Sequence, residues 1–346
     1  EVKVLPSGDR LVAYEVTVRE EGGRYNRVWS ADGRLRLTQN WVATAQAMRS
    51  EDSEYGRGAA YYGELRHSGR NLTYYTQYRD RGDDFHAALG FIPRTGIRQQ
   101  RSYAAWRWRP EGSRVLNFGP SAYFLTNHDH GGRLLDWVAD VPFRIELKGP
   151  VVIEAGRNEA YEFYRGLGFR KNYSRVMVSN DTWRTLGWTA SWAAGRDVNF
   201  YPASGLAPFS AGAQYGSLSL RWRPRPQLRV DQTYYYTKLG DPGQSVFVNH
   251  LWRSKTNWQF TRAWSLRWIV DYDGNLPNAF VTSDERRKRL RNDVLLTWLL
   301  HPGTALQAGY ADRRENLLTP GLERFGDPRL LTGRVIFAKL SYLIRL

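Results

Sequence analysis

The sequence contains no cysteine, which excludes a disulfide framework and metal sites built from thiolate ligands. It also has no run of about eighteen consecutive apolar residues, so it predicts no transmembrane helix. The opening residues Glu1-Val2-Lys3 are not followed by the apolar core that signal peptides carry. We therefore expect either a mature chain or a fragment of a longer protein.

Motifs for catalysis and cofactor binding are scarce too. There is no Gly-x-Ser-x-Gly nucleophile elbow, and the six histidines do not show the helical spacing of zinc hydrolases. Gly166-Leu167-Gly168 lacks the further glycine of a nucleotide-binding fingerprint. His128-Asp129-His130 could offer two metal ligands, but a polar turn is the simpler interpretation. We predict no enzyme activity, no cofactor and no metal site.

Aromatic and basic residues are abundant. The chain has 14 Trp, 21 Tyr and 14 Phe among 346 residues, yet its mean hydropathy is −0.58. An aromatic-rich but hydrophilic chain is typical of a barrel with a wet interior and an aromatic girdle. The net charge of +16 would also suit a nucleic-acid partner or an anionic membrane. Most basic residues recur singly at alternate positions, so we predict a charged barrel wall or lipid contacts and no nucleic-acid partner.

Apolar residues alternate with polar ones along most of the chain, which indicates β-strands. The clearest case is Leu134–Lys148, where seven alternate apolar residues span roughly 20 Å. Ile97–Arg109 and the last residues, Leu331–Leu346, repeat the pattern, and Val151–Tyr164 is predicted as a less regular strand. Turn signals recur every fifteen to twenty residues or so, which gives about eighteen strands. We predict one all-β domain over residues 1–346, an antiparallel up-and-down transmembrane β-barrel of about 16 to 20 strands.

The connections between these strands alternate in length. The short turns are Gln39-Asn40, Ser68–Arg70, Pro110–Gly112, Pro224–Gln227 and His301–Gly303. The long loops are Asp80–Arg94, Tyr201–Ser210, Asn275–Lys288 and Glu315–Pro328. Short periplasmic turns and long outer loops are the expected asymmetry of bacterial outer-membrane barrels.

Three groups of residues are candidates for function. The first consists of arginines on polar strand faces, which would face the lumen and either keep it wet or favour anions: Arg34, Arg36, Arg107, Arg109, Arg144, Arg221, Arg223, Arg229 and Arg267. The second consists of aromatic residues on apolar faces, which would form the membrane girdle: Trp41, Trp106, Trp137, Trp188, Trp222, Trp268, Trp298 and Tyr342. The third is a C-terminal assembly signal made of Leu340, Tyr342, Ile344 and Leu346.

Several stretches resemble one family. They are Asn26-Arg27-Val28 with Asp32-Gly33-Arg34-Leu35-Arg36-Leu37-Thr38, Asp84-Phe85 followed by Leu89-Gly90-Phe91-Ile92-Pro93-Arg94, and the terminal Lys339-Leu340-Ser341-Tyr342-Leu343-Ile344-Arg345-Leu346. Together they look like the C-terminal barrel of Gram-negative outer-membrane proteins of unknown function that usually carry an N-terminal family-9-type carbohydrate-binding module. The resemblance implies a barrel whose first strands can lie upstream of this chain, and a terminal strand read by the assembly machinery. It implies no catalytic residues.

The sequence favours porin-like passage of solutes through a cationic, anion-favouring lumen in the bacterial outer membrane. The alternative is a non-conducting barrel that acts as a membrane anchor or scaffold for surface or periplasmic proteins. A soluble basic β-protein that binds nucleic acid is the least favoured reading. The expected partners are outer-membrane lipid and lipopolysaccharide, the barrel assembly machinery during biogenesis, and other envelope proteins.

Overall fold

A computed structural model describes residues 2–4, 10–301, 303–317 and 326–343. Strands joined by turns and loops make up this part of the chain. Their bounds are β1 (Val2–Val4), β2 (Arg10–Glu21), β3 (Arg24–Arg36), β4 (Trp41–Asp52), β5 (Gly56–Ser68), β6 (Leu72–Arg81), β7 (Ile97–Trp106), β8 (Val115–His128), β9 (Leu134–Leu147), β10 (Val151–Tyr164), β11 (Leu167–Asn180), β12 (Leu186–Asn199), β13 (Phe209–Arg225), β14 (Leu228–Asp241), β15 (Gln244–Gln259), β16 (Trp264–Pro277), β17 (Arg287–His301), β18 (Thr304–Glu315) and β19 (Leu330–Ser341).

The chain forms two compact units. The first comprises Glu1–Ile145 with Gly156–Lys171, and the second comprises Glu146–Ala155 with Asn172–Leu346. In the first unit each strand from β1 to β8 pairs antiparallel with the next. In the second unit the same holds from β11 to β19. In the described residues no helix is long and apolar enough to cross a membrane. The predicted single domain stays a prediction.

The strand register assigns each paired residue to one of two faces, because residues opposite each other in a ladder point to the same side. In the second unit the apolar face runs through Leu186, Trp222, Val230, Thr256, Trp268, Val294, Tyr310 and Ile336. The polar face runs through Gly187, Arg221, Asp231, Lys255, Ile269, Asp293, Ala311 and Val335.

The first unit has the same two faces. Its apolar face runs through Arg10, Leu35, Ala43, Leu65, Thr76, Ser102 and Phe124. Its polar face runs through Ala13, Asp32, Gln46, Tyr62, Arg79, Gln99 and Asn127. The side chain of Asn127 donates a hydrogen bond to Asp136, which places Asp136 and its alternate neighbours in β9 on the polar face.

Large side chains on the apolar faces are exposed, as Val16, Trp222 and Trp268 illustrate. An extended apolar surface of this kind is typical of contact with lipid. Within each unit the longest connections lie at one end of the strands. In the first unit residues 82–96 lie at the end opposite 37–40 and 69–71, but the short turn 53–55 shares their end. In the second, residues 200–208 and 278–286 lie opposite 226–227 and 260–263, but the short turn 242–243 shares their end.

The predicted strand Ile97–Arg109 is too long, because β7 ends at Trp106. The ladder to β8 is interrupted where Gly119 adopts φ 152°, and a Cβ there would overlap the carbonyl of Trp106. The predicted loop Asn275–Lys288 is too wide, since β16 reaches Pro277 and β17 begins at Arg287. In β7 the alternation of apolar and polar residues continues past the end of the strand, and at β17 the polar sequence resembles a loop. The ladder with the neighbouring strand decides both boundaries.

Candidate functional site

The structure distributes the predicted arginines of the first unit over two settings. Arg34 and Arg36 lie on the polar face of β3, and Arg144 lies on the polar face of β9. Arg107 and Arg109 lie in the connection after β7, so their assignment to a strand face is wrong. The guanidinium of Arg107 donates to the carbonyls of Gly119 (3.0 Å) and Pro120 (2.7 Å), and Arg109 donates to the carbonyl of Arg70.

The predicted arginines of the second unit lie on the polar face, where most are neutralised locally. Arg221 pairs with Asp181 in the turn before β12. Arg229 pairs with Asp231 at 2.8 Å, and Arg267 pairs with Asp293 at 3.5 Å. Arg223, by contrast, lies within the register shift near the end of β13, where the ladder assigns no face. Exposed pairs of this kind contribute little to stability, and each removes one free cation from the wall.

Sequence reasoning missed a more concentrated group of charges on the same polar face. Two neighbouring rows cross strands β14 to β17. The first row consists of Tyr235, Leu251, Asp273 and Arg289, and the second consists of Thr233, Arg253, Asp271 and Arg291. These eight residues, which we call the two-row pocket, line a cavity of about 460 Å³.

The ends of the two-row pocket differ in chemistry. Tyr235 is 49% exposed and Leu251 is 40% exposed, although both lie on the polar face. The opposite end carries Arg289 and Arg291 on β17. A strand spacing of about 4.8 Å puts β14 and β17 roughly 14 Å apart. The pocket therefore offers an apolar end and a cationic end on one wall.

Ion pairs occupy most, but not all, of the charges around this pocket. Arg253 lies 3.5 Å from Asp271, and Asp273 binds Arg287 at 2.9 Å. Arg289 binds Glu315 at 3.2 Å, and Arg313 shares that carboxylate at 3.3 Å. Arg291 is exposed and makes no ion pair or side-chain hydrogen bond to any residue that the structure describes. It faces Arg313 directly across β17 and β18, an arrangement of like charges that is destabilising.

A signal for this group was present in the sequence. The predicted loop Asn275–Lys288 includes Arg286, Arg287 and Lys288, whereas residues from Arg287 onward belong to β17. Once the strand begins at Arg287, the alternation places Arg287, Arg289 and Arg291 on one face. The residues of β14 to β16 that line the same pocket can be identified only from the strand register.

A long loop of the first unit folds back onto the polar face. Phe85 is 2% exposed and packs in a cluster with Val28 and Ala60. A Cβ on Gly58 would overlap the backbone of Phe85, so glycine is required for this close approach. The predicted Asp84-Phe85 element is thus an anchor that holds the loop on β3 to β5.

Hydrogen bonds fix the same loop, residues 82–96, which we call the inward loop. The Asn26 amide donates to the carbonyl of His86 (3.0 Å) and accepts from the backbone N–H of Ala88 (2.9 Å). The His86 ring contacts the Asp52 carboxylate at 2.8 Å, and its backbone N–H donates to the Ser50 hydroxyl (3.2 Å). Buried polar groups of this loop are therefore satisfied by the strands beneath it.

A second loop repeats this arrangement in the second unit. Val281 is buried in a cluster with Ala211, Ala213 and Leu239, which lie on the polar face. The side chain of Asn199 donates to the carbonyl of Val281 at 2.9 Å. Each unit therefore has a long connection packed against its polar face close to the end where the long loops lie.

The predicted girdle residues lie on the apolar faces. The register places Trp41 and Trp106 there in the first unit, and ring contact between Phe118 and Phe143 places the face of β9 that bears Trp137 with them. In the second unit the register places Trp188, Trp222, Trp268 and Trp298 on that face. The rings of Trp264 and Trp298 stack with their centroids 5.2 Å apart. The prediction omitted three aromatic residues of this face, Trp264, Trp258 and Trp192. Their role as a girdle stays a prediction.

The remaining predicted residues lie near the C-terminus and in one turn. Leu340 lies on the apolar face of β19, and the Tyr342 ring contacts His301 at 6.2 Å. Ile344 and Leu346 lie outside the described residues. In the predicted polar turn, Nε2 of His130 lies 2.8 Å from Oδ1 of Asp80. No group of three metal-ligating side chains occurs in the part of the chain that the structure describes.

No protein-family model matches the chain, and a search of curated proteins finds no match. Solved structures do match it. The FrpB iron transporter from Neisseria meningitidis (F5-1 variant) aligns with a TM-score of 0.51 and 10% identity over 97% of this chain and 67% of that one. A mutant of the ferric enterobactin receptor PfeA from Pseudomonas aeruginosa aligns with a TM-score of 0.50 and 11% identity over 99% of this chain and 64% of that one.

At this identity the likeness shows the fold. It confirms the predicted fold class, an all-β, antiparallel up-and-down transmembrane β-barrel, and the outer-membrane location predicted from the sequence agrees with it. The chain spans about two thirds of the length of these two solved structures.

Proposed function

We propose that this chain forms an outer-membrane passage whose polar face lines the lumen and favours anionic solutes. One observation carries the proposal, namely the charge balance of that face in the second unit. Its basic side chains on β13 to β18 are Arg221, Arg229, Arg253, Lys255, Arg267, Arg287, Arg289, Arg291 and Arg313, and its acidic ones are Asp231, Asp271, Asp273, Asp293 and Glu315.

The excess of cations has a physical consequence for passage. Wall charges act on a solute across a water-filled lumen, and rings of arginine or lysine favour anions. Paired arginines contribute weakly because their carboxylates cancel the field at a distance. The preference therefore depends on cations that form no ion pair with any described residue, such as Lys255 and Arg291.

The position of the inward loop favours a selective passage and argues against a wide, unobstructed one. It is held on the polar face by Phe85, Asn26 and Asp52, so it takes up space that a solute would otherwise use. The same observation also favours a second function, a non-conducting barrel that anchors or scaffolds envelope proteins. Conductance distinguishes the two.

The experiment is single-channel recording in planar bilayers under a potassium chloride gradient. We expect measurable conductance and a reversal potential whose sign shows that chloride passes more readily than potassium. Lys255→Glu on the polar face should lower that selectivity, whereas Lys238→Glu, which alters a lysine on the apolar face, should leave it unchanged. Absence of conductance would favour the scaffold, and a preference for potassium would refute the cationic passage.

The partners follow from the two faces and are proposals as well. The exposed apolar face would contact outer-membrane lipid and lipopolysaccharide. The terminal strand would be read by the barrel assembly machinery during biogenesis. We also propose membership of the barrel family that carries an N-terminal carbohydrate-binding module, on the strength of the resembling stretches alone.

A further inference from the structure

The two-row pocket has features that a merely hydrated wall does not require. Tyr235 and Leu251 expose apolar surface directly beside charged side chains of the polar face. Arg291 stands opposite Arg313 and forms no ion pair with any described residue. Local violations of the usual pairing rules in a protein are expected where a ligand compensates for them.

The geometry points to a binding site for organic anions that carry an aromatic ring, such as aryl carboxylates. The ring would lie against Tyr235 and Leu251, and the carboxylate would lie against the guanidinium of Arg291 at the cationic end. This inference rests on the proposed passage of anionic solutes, because it names the solute class that the polar face would select.

The dimensions agree with such a ligand. The apolar and cationic ends lie three strand spacings apart, about 14 Å, and an extended arginine reaches about half of that distance. The remaining distance matches the length of a bicyclic aromatic acid, and a cavity of about 460 Å³ has room for one. An inorganic anion such as chloride would leave the apolar end unused.

The charges of the pocket select for an anion despite the two aspartates in it. Asp273 is bound to Arg287, and Asp271, which lies opposite both Arg253 and Arg291 in the ladder, forms its ion pair with Arg253. Arg291 is the arginine of the pocket that forms no ion pair with any described residue, and a guanidinium binds carboxylates through two parallel hydrogen bonds. A carboxylate placed there would also offset the repulsion between Arg291 and Arg313.

The test is isothermal titration of the full chain in detergent micelles with 2-naphthoate, with empty micelles as the blank. Acetate supplies the anion without the ring, and 2-naphthalenemethanol supplies the ring without the anion. We expect 2-naphthoate to bind more tightly than both. Equal binding of 2-naphthoate and 2-naphthalenemethanol would overturn the inference, since it would show that charge plays no part.

Variants locate the site. Arg291→Gln should weaken 2-naphthoate binding roughly tenfold, since a charge-assisted contact is lost. Tyr235→Ala should weaken it roughly fivefold through the lost ring contact. Arg262→Gln removes one positive charge from an exposed turn and should bind as the wild type does. Circular dichroism checks that each variant retains its β-structure.

Failure of this site and failure of the passage are distinguishable. If the wild type conducts and prefers chloride but Arg291→Gln binds 2-naphthoate as tightly as the wild type, the site is wrong and the passage stands. If Arg291→Gln loses binding but the wild type does not conduct, the site stands and the passage is wrong. No binding of 2-naphthoate by the wild type overturns the site in either case.

Discussion

Replacing Phe85 by alanine should release the inward loop from the polar face. Phe85 is 2% exposed and packs against Val28 and Ala60. Truncation of a buried phenylalanine typically costs about 3–5 kcal/mol through lost apolar burial and the cavity left behind. The loop carries few other apolar anchors, so most of this cost should fall on the local opening equilibrium of the loop.

Hydrogen exchange reports this opening. The backbone N–H of His86 donates to Ser50, and that of Ala88 donates to Asn26. These amides exchange when the loop lifts from the strands. A loss of about 3 kcal/mol in the free energy of loop opening corresponds to roughly a hundredfold faster exchange, since about 1.4 kcal/mol changes an equilibrium constant tenfold. Mass spectrometry of a peptide that covers residues 84–89 would measure it in lipid nanodiscs.

Phe91 provides the matched control, because it belongs to the same loop and is 92% exposed. Phe91→Ala should leave the exchange of His86 and Ala88 unchanged. If Phe85→Ala also leaves it unchanged, the loop is not held by Phe85 and the reasoning is refuted. In bilayers the Phe85→Ala channel should conduct more than the wild type, because the loop no longer occupies the polar face.

Two further predictions concern the second loop and the two faces. Val281→Ala should speed amide exchange in residues 278–283 through a loss of roughly 2 kcal/mol, whereas Phe280→Ala, at an 88% exposed neighbour, should not. Leu218→Arg should destabilise the protein in lipid vesicles by about 2–4 kcal/mol, because Leu218 lies on the apolar face in the middle of β13. Ser219→Arg, one residue along on the polar face, should be tolerated. Denaturant titration measures the free energy of unfolding of both variants, and an equal loss of stability in the two would contradict the assignment of faces.

The alternation of apolar and polar residues was enough to predict the strands. In β9 the predicted Leu134–Lys148 differs from the observed strand by one residue, and in β10 the prediction Val151–Tyr164 is the observed strand. The prediction for β9 succeeds because each face of that strand meets one kind of environment along its whole length. The boundary at Arg287 failed because four consecutive basic residues resemble a solvated loop until a partner strand is known.

The sequence alone determined which residues of a strand share a face, and hence that Trp222 and Arg221 point in opposite directions. Periodicity is local, so it carries this information without any neighbour. Which residues meet across strands is set by register, and only the tertiary structure shows that Tyr235, Leu251, Arg253 and Arg291 line one pocket. The same is true of Phe85, whose loop gave no local sign that it packs on β3 to β5. Such contacts join residues far apart in the chain, and a pattern of period two cannot specify their pairing.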